Sequence, residues 1–312
     1  MLAMSLWANP AAGEPFAVKN HSPVWLGLLF PTPDTASAAK TGEWRYRADM
    51  DYSNIFFIPT NGAWSFLFDM ELAQLTLDAR YGIADGLEAG VEQPFFHMGG
   101  GFLDDAVTKY HSAMNFPMYA GQQEAPHNRF MDSVFHNGRT WNSANPYTIT
   151  NGDATLWLKK ELFWSGESAI SVKLLTQAPT SSTSSGMGNG AWEWGGVMMA
   201  NHPVGSVEAS LAVGYLNPGF IDRGEHYTLN GFYYWDAAMD WRLASRWSAI
   251  GQVTGATSPY AADTPLLVQR QWMALTIGTR HITQAGNKVE ISITEDLSFS
   301  APDFTIHIGV QF

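Results

Sequence analysis

Residues 43–54, EWRYRADMDYSN, alternate almost without error. Trp44, Tyr46, Ala48, Met50 and Tyr52 share one parity, and Arg45, Arg47, Asp49 and Asp51 share the other. A period of two builds a β-strand whose side chains point by turns to two faces. One face here is aromatic and apolar and the other carries charges of both signs, so two different solvents are implied. The pattern recurs along the chain. Val207, Ala209, Leu211, Val213 and Tyr215 oppose Glu208, Ser210 and Gly214, and Val289, Ile291 and Ile293 oppose Lys288, Glu290, Ser292 and Thr294. It predicts an all-β chain of twelve strands, near 44–58, 62–82, 87–97, 152–164, 168–178, 190–200, 206–217, 228–243, 247–257, 268–283, 288–298 and 303–312.

The connections between these strands are sorted by length. IADG, SGE, NHPVG, ASR and QAGN close every second junction, most with the Gly, Asn, Asp or Pro that tight hairpins favour. The intervening junctions are mostly longer: 98–151 is the extreme, and 178–190 is a Ser/Gly/Thr tract. Short turns at one end and long loops at the other are the signature of a transmembrane antiparallel β-barrel of the outer-membrane type. No apolar run is long enough for a membrane helix, which leaves the closed barrel as the backbone-satisfied way to cross a bilayer. The polar parity, including Arg45, Arg47, Asp49 and Asp51, then faces a wet interior, and the aromatic parity faces lipid.

The last ten residues, DFTIHIGVQF, place Phe304, Ile306, Ile308, Val310 and the terminal Phe312 on one parity. A final strand of this form resembles the assembly signal of bacterial outer-membrane barrels. Its implied partners are the barrel-assembly machinery, outer-membrane lipid and lipopolysaccharide, with a bacterial outer-membrane location reached through the periplasm. Residues 41–312 are assigned to the barrel and 1–40 to an N-terminal segment. Its opening, MLAMSLWANPAAGEPF, resembles the end of a secretory signal without a basic start and is placed outside the fold. Residues 16–33 are a candidate plug for the lumen. Residues 103–116, LDDAVTKYHSAMNF, suit a short amphipathic helix folding over or into the barrel mouth.

Seven stretches together resemble domain-of-unknown-function family 3187, bacterial outer-membrane barrels without an assigned function. They are VKNHSPV (18–24), DYSN (51–54), FDMEL (68–72), YGIADGLEAGVEQPFF (81–96), GGGFLDDAV (99–107), NGDATLWLKKEL (151–162) and TEDLSFSAPDFTI (294–306). The 81–96 piece alone is also similar to barrels of the phenol-degradation and fatty-acid-transporter type. The resemblance implies location and fold, and brings no catalytic residues with it. The 178–190 tract departs from it, being more Ser-rich than the tight turn expected there.

Catalytic motifs are missing. The chain has no G-x-S-x-G elbow and no H-E-x-x-H, and GMGNG (186–190) precedes no helix. His202 and Ser206 flank a tight turn. His97, His111, His127 and His136 lack ligand spacing, and with no Cys the chain has no thiolate chemistry. No cofactor and no metal are implied, and no enzyme is expected; a lipid-modifying barrel ranks behind the other readings. The net charge of −12 argues against nucleic acid. The candidate functional residues are lumen charges: Arg45, Arg47, Asp49, Asp51, Asp69, Glu71, Glu88, Glu92, Asp236 and Asp240. The inward set is richer in carboxylates than in cations, which would focus cations and points to a narrow or gated conduit, or a lumen binding site, for a small solute. Bulky inward Trp157, Phe232, Tyr234 and Trp272 favour the alternative, a non-conducting scaffold barrel that binds a partner.

Overall fold

The computed structural model describes residues 13–119, 121–166 and 168–312. Twelve antiparallel strands form the wall: β1 (Trp44–Phe57), β2 (Trp64–Ala84), β3 (Leu87–Gly99), β4 (Ala154–Ser165), β5 (Ser168–Ala178) and β6 (Glu193–Val204), followed by β7 (Val207–Asn217), β8 (Phe232–Ala244), β9 (Trp247–Ala256), β10 (Trp272–Ile282), β11 (Lys288–Asp296) and β12 (Phe304–Gln311). Each strand pairs with its sequence neighbour, and β12 pairs with β1, so the sheet closes on itself. At the seam Phe312 N–H donates to the Tyr46 carbonyl at 2.9 Å, and Tyr46 N–H donates to the Phe312 carbonyl at 3.3 Å. Closure leaves no edge strand facing hydrocarbon.

The two faces are those the alternation predicts. Trp44, Tyr46, Met50, Leu77, Leu174, Leu211, Met239 and Ile277 stand outward and exposed, while Arg47, Asp49, Asp51, Thr76, Lys173, Asp236 and Arg280 are buried inside. On β12 the odd positions Thr305, His307 and Gln311 are buried inward, whereas Ile308 and Phe312 are exposed. The tight turns carry glycines at positive φ where the chain reverses, as at Gly86 (62°) and Gly205 (66°). The β6–β7 hairpin runs four residues beyond its predicted end. Pro203 had argued for a turn, but it lies where β6 has outrun β5 and pairs with β7 alone, opposite Glu208.

The long loops build a cap at the opposite end. In the loop after β3, a hairpin of Met131–His136 and Arg139–Ser143 extends the sheet by pairing with the first residues of β2. Trp64 anchors it, stacking on His136 with ring centroids 4.0 Å apart and meeting Trp141 edge-on. The predicted helix forms as Asp104–Met114, but it lies neither over nor in the mouth. It packs on the outer face of the wall: His111 Nε2 is 3.2 Å from Glu295, Tyr110 meets Phe304, and Phe102 stacks on Tyr52.

The lumen holds residues 13–40. This segment enters at the short-turn end, where Gly13 N–H meets Asp240, and climbs past Gln252 and Asp51. It turns over at the loop end through one helical turn, Pro23–Leu26. It then descends past Glu193 and Asn201 to Glu88 and leads into β1. Residues 13–16, placed outside the fold on sequence grounds, are thus buried in it; Phe16 has no exposed surface. Residues 1–12, the bulk of the secretory-signal reading, lie outside the described residues.

Candidate functional site: the occupied lumen

Apart from its one helical turn, the inserted segment has no regular structure, so its backbone polar groups need other partners at membrane depth. Strand side chains supply them. Phe16 N–H donates to Gln252 Oε1 at 2.7 Å and Ala36 N–H to Asn201 Oδ1 at 2.6 Å. Ala38 N–H donates to Glu161 at 2.6 Å, Leu29 N–H bonds to Glu193, and Ala39 N–H bonds to Glu88. The apex is held differently. Trp25, Leu28, Leu29 and Phe30 are buried, with Trp25 and Phe30 packed against Phe232 and Trp272. At about 1.5–3 kcal/mol per buried side chain, this apolar cluster is a substantial anchor of the segment.

The lumen charges fall into separate groups. In the first, Arg47 reaches Asp49 at 2.8 Å and Glu290 at 2.5 Å, and Arg280 bridges Glu290 and Asp240 at 2.5 Å each. His307 lies 2.8 Å from Asp51, and Lys288 holds Glu14 of the inserted segment at 2.7 Å. Gly309 makes room for this group, because a Cβ there would lie 2.6 Å from Asp49 Oδ1. In the second, Arg80, Lys159 and Lys173 surround Asp34 of the inserted segment, with Asp78 and Glu88 beside them. Glu92 stands apart, taken by Lys19 and Thr32 of that segment. Asp236 accepts from Thr254 at 2.6 Å and Gln252 at 2.8 Å, and Arg45 pairs with Glu43 near the short turns.

Two predicted lumen charges are elsewhere. Asp69 and Glu71 share the outward parity of β2 with Leu75 and Leu77, which are exposed, whereas Asp78 and Arg80 share the inward one. The first third of β2 rises under the loop cap, so both of its faces are covered and polar residues occur on the outer one. There Glu71 accepts from Phe102 N–H at 2.6 Å and from Leu103 N–H, tying down the start of the helix Asp104–Met114. Sequence reasoning also left Lys288 and His307 out of the charged set. The alternation did put both on the inward parity.

The histidines are dispersed: His111 contacts Glu295, His127 contacts Asp105, and His136 contacts Glu225. Among the described residues no three His, Asp or Glu side chains converge on a common point for a metal. His202 accompanies Ser168 at 2.8 Å and sits opposite Ala209. Near the apex the spaces between segment and wall measure about 30 and 20 Å³, room for one or two waters. Among the loops an open cleft of about 610 Å³ is lined by Trp141, Ser184, Asp222 and Arg223.

The fold is that of outer-membrane β-barrels. The crystal structure of the COG4313 outer membrane channel from Pseudomonas putida F1 is similar over 90% of this chain and 99% of that one, at 11% identity and a TM-score of 0.60. The NanC porin is similar over 86% of this chain and 99% of its own, at 9% identity and a TM-score of 0.48. No curated protein matches. The family described as a protein of unknown function, DUF3187, matches residues 2–312, and the chain belongs to it.

Proposed function

We propose that the protein is an outer-membrane conduit for a small solute, closed at rest by its own residues 13–40. The observation that carries this reading is the way the segment is held. Its two legs are joined to the wall by hydrogen bonds and ion pairs from side chains, not by strand pairing, so water or a solute can replace each contact. With the short turns in the periplasm, the cleft among the loops is where a solute arrives from outside. With Asp69 and Glu71 outside and Lys288 and His307 inside, the acidic excess of the wall is small, and its charges are largely paired in the closed state, so no strong selectivity follows from it.

The competing scaffold reading rests on the apolar apex, which packs as a permanent core would. Liposome swelling separates the two. Vesicles carrying a chain that lacks residues 13–36 swell in small sugars much faster than vesicles carrying the full chain if the segment closes a conduit. Equal, background rates from two preparations that both show heat-modifiable migration favour the scaffold.

A further inference from the structure

Asp34 lies between Pro33 and Thr35 on the descending leg, with Pro31 two residues before Pro33, and both of its carboxylate oxygens are engaged. Oδ1 is 3.0 Å from Arg80 Nη1, and Oδ2 is 3.1 Å from Lys173 Nζ and 3.3 Å from Lys159 Nζ. The three cations come from β2, β4 and β5, which with β3 are consecutive strands of the wall, so the wall's own ladders set their spacing. All three lie near Trp157, with Lys173 Nζ 4.2 Å, Arg80 Cζ 5.2 Å and Lys159 Nζ 5.9 Å from its ring centroid. The indole is pressed over Gly90, where a Cβ would come within 2.3 Å of it. Three buried cations beside a buried indole make a formed site.

Its charge balance identifies the occupant. Asp78 bonds Arg80 at 2.8 Å, and Glu88 lies 3.1 Å from Lys159; with Glu92 taken by Lys19 of the segment, two wall carboxylates stand against three wall cations. Asp34 supplies the third negative charge. Without it the site has one positive charge too many, buried, and a buried unpaired charge is strongly unfavourable. A single carboxylate, with two oxygens to divide between a guanidinium and a pair of ammonium groups, restores the balance; a dianion overshoots it.

We propose that Arg80, Lys159 and Lys173 form a lumen binding site for a small organic monocarboxylate, and that Asp34 is its built-in occupant, which the solute's carboxylate displaces. The site deepens the conduit reading by naming a solute class, and rests on it. Segment and solute compete for the same cations, so arrival of one loosens the other.

The test is binding of benzoate to the full-length Asp34→Asn chain in detergent, read by calorimetry. Removing the competing charge tightens benzoate binding at least tenfold over the unsubstituted chain, and benzyl alcohol and benzylammonium do not bind. Equal benzoate affinity for both chains, or equal binding of benzyl alcohol, overturns the proposal. A second measurement keeps Asp34 in place: the chain has no native Cys, so Thr35→Cys gives a single buried thiol. Benzoate raises its maleimide labelling severalfold and benzyl alcohol does not; unchanged labelling contradicts displacement. An Asp34→Asn chain that binds benzoate but shows no conductance keeps the site and removes the conduit, and a conducting chain that ignores benzoate does the reverse.

Discussion

Gln252 holds Phe16 by both backbone groups: its Oε1 accepts the Phe16 N–H at 2.7 Å, and its Nε2 donates to the Phe16 carbonyl at 3.2 Å. A side-chain amide thus does for the inserted segment what a neighbouring strand does in a ladder. Replacing Gln252 with Ala leaves a buried N–H and a buried carbonyl without partners, at about 1–3 kcal/mol. The ascending leg loosens while the wall, whose ladders are untouched, does not. A cysteine at Ala17 is expected to react with maleimide roughly tenfold faster in the Gln252→Ala background, with heat-modifiable migration unchanged. Equal rates would show that Gln252 does not hold the leg.

Two strand glycines give opposite expectations. Gly90 lies under the Trp157 indole, and an added Cβ would meet the ring at 2.3 Å; Gly251 has nothing within 4 Å. Gly90→Ala displaces Trp157 and the cations above it, an overpacking cost of about 1–3 kcal/mol. Gly251→Ala stays close to neutral. The temperature at which folded barrel converts to the unfolded gel form reads both, and a Gly90→Ala midpoint equal to that of Gly251→Ala contradicts the packing described.

The seam depends on the last residue. Deleting Phe312 removes both of its hydrogen bonds to Tyr46 and the exposed aromatic that follows β12. Deleting Ser184 from the exposed loop after β5 removes a solvated residue whose loss changes loop closure little. Membrane yield of folded protein falls severely for the first and little for the second. Similar yields would mean that the terminal strand does not control closure.

These expectations show which parts of the molecule were legible in its sequence. The wall was, because residues such as Trp44, Arg47 and Asp49 report their faces locally, through a period of two. The occupied lumen was visible only as a candidate plug. Its partners, Gly13 with Asp240 or Glu14 with Lys288, are separated by most of the chain, and an irregular segment has no period to read. Asp69 and Glu71 were misplaced because the alternation rule assumes lipid outside, and at the top of β2 a loop replaces lipid. The cation group around Asp34 was half legible: alternation along their strands places Arg80, Lys159 and Lys173 on the inward parity, but nothing local names the carboxylate that joins them.

The docking of the third loop is expected to depend on pH through Asp303, which precedes β12. Burial raises its pKa to about 8, against the Gln122 hydrogen bond from the loop, which favours the ionised form, and with the Glu295 and Asp104 carboxylates adding to the rise. A carboxyl raised in the folded state stabilises fully below its unfolded pKa, near 3.8, and loses that contribution as pH rises through about 8. Proteolysis within 115–128 therefore accelerates as pH rises between those values, and Asp303→Asn flattens the profile. An unaltered profile in the variant would assign the dependence to another group.

Closure of the lumen by residues 13–40 is tested most directly by fastening the segment reversibly in place. Ala36 N–H bonds to the Asn201 side chain at 2.6 Å, which brings the two backbones close enough for cysteines at these positions of the otherwise Cys-free chain to be cross-linked. In single-channel recordings of this variant, reduced protein is expected to open intermittently. Oxidation of the pair abolishes the openings, and a reductant restores them in the same membrane. Conductance that is indifferent to oxidation, with the cross-link verified by mass spectrometry, would contradict a segment that must move for the barrel to conduct.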